Sequence, residues 1–212
     1  MPSSRRVDAF VGRLEHVIAR EVEGRDRVAL AYSGGLASTL VAMLARKRCA
    51  LDCIVAGVDG SPDVLAARAA KAHLDYRVEY LILNQMDAMR IRARIAAAHP
   101  ELPARDLDDL VPLHAALEHV EGRTLLSGFG LPPLSTAIVA ALGRAEVALP
   151  IRAASRGTTL SRSTVRAAAT ALGLPAEWAR AAHRSAAAGA GIRDFFGAQS
   201  GPRDDDPVQS RL

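Results

Sequence analysis

Val28-Ala-Leu-Ala-Tyr-Ser33-Gly34-Gly35-Leu36-Ala37-Ser38-Thr39, running directly into Leu40-Val-Ala-Met-Leu-Ala-Arg46, is the stretch that decides the fold. It reads as a buried strand, a glycine turn crowded with hydroxyls, and a helix. That order aims unpaired backbone N–H groups and the positive end of a helix at one spot, which suits an anion. Gly-x-x-x-x-Gly-Lys-Ser/Thr is absent, and the nearest lysine, Lys47, lies at the far end of the helix, so this is not a Walker A loop. A plainer role for Ser33 and Ser38 is helix capping alone.

Outward from that turn, strands and helices alternate. Val7, Phe10, Val11, Leu14, Val17, Ile18 and Val22 predict an amphipathic helix over 4–23, ending at Gly24. Strands are expected at Arg27–Tyr32, Leu51–Gly57, Tyr76–Leu83 and Arg123–Ser127, with a short fifth at Glu146–Pro150. The helix after the glycine turn should run from Leu36 to Arg48. Ser61-Pro-Asp63 supplies an N-cap, a first-turn proline and an early carboxylate for a helix reaching about Leu74. Helices near 85–98, 106–120 and 133–142 follow, then a helical segment from about Ser161 to Ala188. The pattern predicts an α/β, Rossmann-like doubly wound parallel sheet of about five strands, with ligand loops at the strands' carboxyl ends. Its expected parts are an N-terminal helix (1–24), a nucleotide-binding core (25–160), a helical C-terminal segment of the same domain (161–196) and a disordered tail (197–212).

Composition narrows the class. The chain has 212 residues, half of them apolar, enough for one core. No apolar run approaches the ~20 residues of a membrane span and no signal-like block opens the chain, so a soluble, cytoplasmic protein is expected. The formal charge of +4 is carried by arginine, with lysine only at Lys47 and Lys71, and the two signs alternate along the chain. No basic stripe with aromatics emerges, so nucleic acid is not an expected partner. Arg46-Lys47-Arg48 reads as cations favoured at a helix end. Cys49 and Cys53 match no zinc or redox spacing, and His114 and His119, five apart, fall on different faces of one helix, so no metal site is expected from them.

The Ser33-Gly34-Gly35-x-x-Ser38 core resembles the pyrophosphate loop of the N-type (PP-loop) ATP pyrophosphatases, usually Ser-Gly-Gly-x-Asp-Ser. Tyr32–Ser38 is closer still to the Ser-Gly-Gly-Leu-Asp-Ser form in the synthetase domain of asparagine and β-lactam synthetases, with Ala37 at the aspartate position. The likeness continues in order over roughly residues 25–195. Val55-Ala-Gly57-Val58 with Gly60-Ser-Pro-Asp63 resembles the family's second strand and the helix that follows it. Leu126-Ser127-Gly128-Phe129-Gly130 stands where the family has Ser-Gly-x-Gly-x-Asp-Glu, though Leu131-Pro132-Pro133 gives no carboxylate. Arg162-Ser-Thr-Val165-Arg166 resembles Lys-x-x-Leu-Arg. Leu172-Gly-Leu-Pro175 and Gly189-Ala-Gly191-Ile192 resemble the closing motifs of archaeal-type members, between which His183 stands near a family lysine.

The resemblance implies an adenine nucleotide alpha hydrolase-like fold that binds ATP. Ser33, Gly34, Gly35, Leu36, Ser38 and Thr39 would surround the phosphates, and Ala56, Gly57 and Val58 would receive adenine. Ser127 and Gly128 would form the second loop, and Arg162 would be the catalytic cation. The family's aspartate helps hold magnesium, so Ala37 leaves that ion open. The implied chemistry is adenylation of an aspartate-like carboxylate and its amidation, with release of AMP and pyrophosphate, as in asparagine biosynthesis. The chain begins Met1-Pro2 with no cysteine before Cys49, so glutamine hydrolysis is not expected and nitrogen would come from free ammonia or a glutaminase subunit. The alternative is a degenerate relative that holds a nucleotide as a structural or regulatory partner. A third reading, a tRNA-modifying pyrophosphatase, lacks the catalytic cysteine pair or basic RNA module such proteins commonly carry.

Overall fold

The computed structural model describes residues 2–71, 77–131, 134–155, 160–179 and 184–199. Four parallel strands, β1 (Arg27–Ala31), β2 (Ala50–Gly57), β3 (Arg77–Ile82) and β4 (Leu125–Ser127), form one sheet in the order β3-β2-β1-β4. The order reverses direction between β1 and β4, so the turns leaving those two strands face each other across a crevice at the carboxyl end of the sheet.

Strand side chains alternate between two apolar layers, as a sheet covered on both faces requires. Val28, Leu30, Tyr32, Cys53, Val55 and Leu126 pack with α1 (Ser4–Glu21), α2 (Leu36–Ala45), α3 (Pro62–Lys71), α7 (Pro150–Ala154) and α8 (Arg162–Ala171). Ala29, Ile54, Ala56 and Leu125 pack with α4 (Gln85–Ala98), α5 (Ala104–His119), α6 (Thr136–Arg144) and α10 (Ala186–Gly189). The heptad-like spacing of α1 works as its pattern predicts: Phe10, Leu14 and Ile18 are fully buried. Such burial contributes on the order of 1.5–3 kcal/mol per side chain. No described helix is long and apolar enough to cross a membrane.

Two expectations are corrected and a third gains detail. The fifth strand shrinks to one bridge, Leu126 to Ala148, with Ser127 N–H donating to Ala148 O (2.9 Å) and Ala148 N–H to Leu125 O (3.0 Å). Glu146 in the left-handed region (φ 55°) and Pro150, which begins α7, pinch the segment at both ends. The helical segment expected from about Ser161 to Ala188 contains α8, the short α9 (Ala176–Ala179) and α10, with Gly173 (φ 93°) and Pro175 following the end of α8. Order also continues past Gly197, because a 3-10 helix spans Arg193–Gln199. The rest of the expected tail, residues 200–212, lies outside the described residues.

The amino end of the sheet is tied by one carboxylate. Asp52 of β2, buried at 2%, accepts from Arg27 (2.8 Å) and Arg123 (2.7 Å), with Arg77 at 3.8 Å. Four strand beginnings therefore share one anion. Removing it strands cations that are only half-covered and can rehydrate, so the loss should fall below that for a wholly buried pair. Asp52→Ala should lower stability by about 2–3 kcal/mol in urea denaturation, the range for a lost charged hydrogen bond.

Candidate functional site

At the end of β1 the chain turns on Gly34, whose φ of 66° suits glycine. A Cβ there would also sit 2.7 Å from the backbone of Ala66 and Ala67 in α3. Ser33 and Ser38 close the turn. Gly35 N–H donates to Ser33 Oγ (3.3 Å) and Ser33 N–H to Ser38 Oγ (3.3 Å). The two hydroxyls lie 3.1 Å apart, and Ser38 Oγ–H donates to Gly35 O (3.1 Å). The capping role therefore holds in part: the serines brace the turn, yet neither reaches the first-turn amides of α2. Gly35 is the N-cap and has no side chain to offer. The N–H groups of Leu36, Ala37 and Ser38 consequently meet no acceptor among the described residues, and that of Ser38 is the one the turn at Gly128 presses against. Thr39 is 1% exposed and its hydroxyl pairs with Tyr32 (3.1 Å), so the structure places it behind the turn rather than at the mouth.

β4 ends in a matching device. Phe129 N–H donates to the buried Ser127 Oγ (3.1 Å), as Gly35 N–H does to Ser33. Between them Gly128 lies so close to α2 that a Cβ would be 2.5 Å from Ser38 N and 2.8 Å from Ala37 C. The two serine-glycine turns thus meet at the start of α2, and Ser33, Gly34, Gly35, Leu36, Ser38, Ser127 and Gly128 come together there.

Beside them is the end of β2. Strand register turns the peptide groups of Ile54 and Ala56 toward β1, with Tyr32 N–H on Ile54 O (2.8 Å), and β1 stops at Ala31. The Ala56 edge thereby runs past the last ladder residue into the crevice. Gly57 and Val58 are committed elsewhere: Gly57 O accepts from Leu83 N–H (2.9 Å) and Val58 N–H donates to Ala190 O (2.8 Å).

The C-terminal segment around α10 makes this last contact, and sequence reading did not foresee it. A Cβ on Gly57 would lie 3.0 Å from Ala190 O, one on Gly191 2.9 Å from Ser61 Cβ, and one on Gly189 2.4 Å from the Asp63 carboxylate. Ser61 is buried with its Oγ unpartnered, so the expected side-chain cap is not made; its carbonyl accepts from Leu65 N–H (2.9 Å) instead. Burial pushes the Asp63 carboxyl up to about 7, against the pull of Arg184.

Charges at the mouth differ from those the resemblance implies. Neither turn, 32–39 or 127–131, contains a carboxylate, and Ala37 packs its methyl against the core. Asp59 is engaged by Arg68 (2.9 Å). These turns do not supply the one or two carboxylates through which proteins usually hold a magnesium ion beside substrate phosphates. Arg162 is exposed in the first turn of α8, which packs on α1 and α2. Arg152 of α7, whose Cβ stands beside Gly130 in the turn after β4, was missed because α7 begins directly after the shortened fifth strand. His183, Pro132 and Pro133 lie outside the described residues.

The asparagine synthase family model matches residues 10–130, more than half of the chain. A protein of Methanocaldococcus jannaschii that bears the name of a glutamine-hydrolysing asparagine synthetase is 26% identical over 124 residues. That match covers 57% of this chain but only 23% of the relative. A solved structure from the same organism, described as a predicted subunit of a tRNA methyltransferase, aligns over 75% of this chain and 94% of its own. At TM-score 0.40 and 16% identity it is too distant to bear on fold or function.

Two measurements check this geometry. Gly34→Ala and Gly128→Ala force a Cβ into backbone and should each cost about 1–3 kcal/mol in thermal denaturation. Gly35→Ala meets only Ser33 Oγ at 3.1 Å and should stay within about 0.5 kcal/mol. Since the folded Asp63 carboxyl lies above its ordinary 3.8, its contribution is complete below about pH 4 and is lost as pH rises to about 7. Asp63→Asn should remove that decline, so the stability of the variant relative to the unaltered chain should rise between pH 4 and 7.

Proposed function

Since the chain belongs to the asparagine synthase family, we propose that it binds ATP with the polyphosphate over the first turn of α2 and adenine along the Ala56 edge. The observation that carries this reading is the set of unengaged amides at the start of α2, Leu36 and Ala37 foremost because Gly128 presses on that of Ser38, framed by two glycine turns at the switch point of the sheet. Phosphate oxygens would complete hydrogen bonds that the fold itself leaves open. Gly35, with no side chain, lets them approach.

The bound nucleotide would then activate a small aspartate-like carboxylate. Its oxygen attacks the α-phosphorus, pyrophosphate leaves, and an amine displaces AMP to form an amide. The chain's share of that work is alignment and charge neutralisation: main-chain amides hold the phosphates, and Arg162 on α8 is the candidate cation for the departing pyrophosphate. Nitrogen would arrive as ammonia, free or from a glutaminase subunit. A second reading, a nucleotide held without turnover in a structural or regulatory role, is favoured by Ala37 and by the run Leu131-Pro132-Pro133, which offers no carboxylate where the family's aspartate and its acidic pair would be.

Calorimetric titration separates the two readings. Pyrophosphate release on adding aspartate and ammonia to the ATP complex supports the enzyme, whereas ATP binding indifferent to magnesium and without release supports the non-catalytic relative. Gly35→Val should abolish ATP binding while the chain stays folded. Ala37→Asp should make binding magnesium-dependent and tighter, and no change in affinity would contradict the placement of the phosphates.

A further inference from the structure

We propose that Arg152 binds the nucleotide's phosphates and supplies, from this chain's own side chains, the positive charge that the carboxylate-free turns cannot recruit as a metal ion. The inference rests on the nucleotide reading above and adds a residue and a charge mechanism to it.

Arg152 is the third residue of α7, which leaves the sheet two residues after the Ala148 bridge to β4. That connection sets it at the carboxyl end of the sheet, beside the turn that leaves β4. Its Cβ lies 3.3 Å from where a Cβ on Gly130 would be, and Gly130 holds a φ of 135° that excludes most side chains. At the other end of the same turn, Gly128 is pressed against Ser38 N. The turn Gly128–Gly130 is therefore sandwiched between the first turn of α2 and the base of Arg152. Two residues of chain span at most about 7 Å, so this short turn is the link that separates the base of Arg152 from the start of α2.

Its electrostatic setting points the same way. Arg27, Arg92, Arg123 and Arg144 all meet carboxylates. Arg152 is half-buried, yet its guanidinium has no hydrogen bond, ion pair or ring contact among the described residues. A partly desolvated cation with a planar fork of donors is costly alone and well matched to phosphate oxygens. No competing anion lies in the two turns. The site would take a di- or triphosphate as the free anion, held by α2 amides on one side and Arg152 on the other.

The test is titration of the full chain with ATP, inorganic pyrophosphate and adenosine in EDTA, using Arg152→Ala, Arg152→Lys and the distant exposed Arg48→Ala. Arg152→Ala should weaken ATP and pyrophosphate at least about tenfold, the worth of one charged hydrogen bond, and leave adenosine unchanged. Arg152→Lys, which also serves if the alanine variant does not fold, should recover part of the charge but not the fork. Arg48→Ala should match the unaltered chain. ATP and pyrophosphate affinities within twofold for Arg152→Ala, or for Arg152→Lys if that alone folds, would overturn the role of Arg152 while leaving the nucleotide site standing. Failure of the unaltered chain to bind ATP or pyrophosphate would overturn both.

Discussion

A helix cannot satisfy its own first amides, and among the described residues nothing else is arranged to do so for α2. Gly35 caps without a side chain, and Ser33 and Ser38 spend their hydroxyls on one another and on the turn. The architecture around this deficit keeps side chains away from it. Gly34 lets the turn press on α3, and Gly128 lets the loop after β4 press on α2. A doubly wound sheet then places the deficit at its switch point, where two turns face one another and no strand intervenes.

The opposite end of the sheet is organised by charge. Asp52 gathers arginines from neighbouring strand beginnings, so the amino end is fixed by ion pairs and the carboxyl end is left with peptide groups and cations. The C-terminal segment braces the carboxyl end from the β2 side by main-chain contact on Val58, with Gly57, Gly189 and Gly191 admitting the close approach. It takes the Val58 amide and leaves Ala56 facing the crevice. Neither turn carries a carboxylate, so the polar groups on offer at this end are main-chain amides and arginine.

The layered fold was legible in the sequence because its signals are local: short, nearly continuous apolar runs, glycine at strand ends, and the apolar face of α1. The glycine turn at 33–38 was legible for the same reason. What the sequence hid depends on contacts between distant segments. The fate of Glu146–Pro150 turned on a left-handed residue and a proline at its two ends, and that shortening decides where Arg152 stands. The withdrawal of Thr39 behind the turn depends on the Tyr32 phenol, and the engagement of Val58 depends on a carbonyl 132 residues away in the chain. Ser61 looked like a cap because its residue type and the following proline favour one, yet packing against Gly57 and Gly191 holds its hydroxyl away.

Family membership fixes the ancestry of this crevice, and its amides and charges set what it can hold. The most direct measurement is amide NMR during titration with ATP in EDTA. The account predicts that the largest shifts fall on Leu36 and Ala37, with their neighbours in the turns after β1 and β4 following at the same midpoint. Saturable binding that leaves those amides unmoved, or no binding at all, would contradict it.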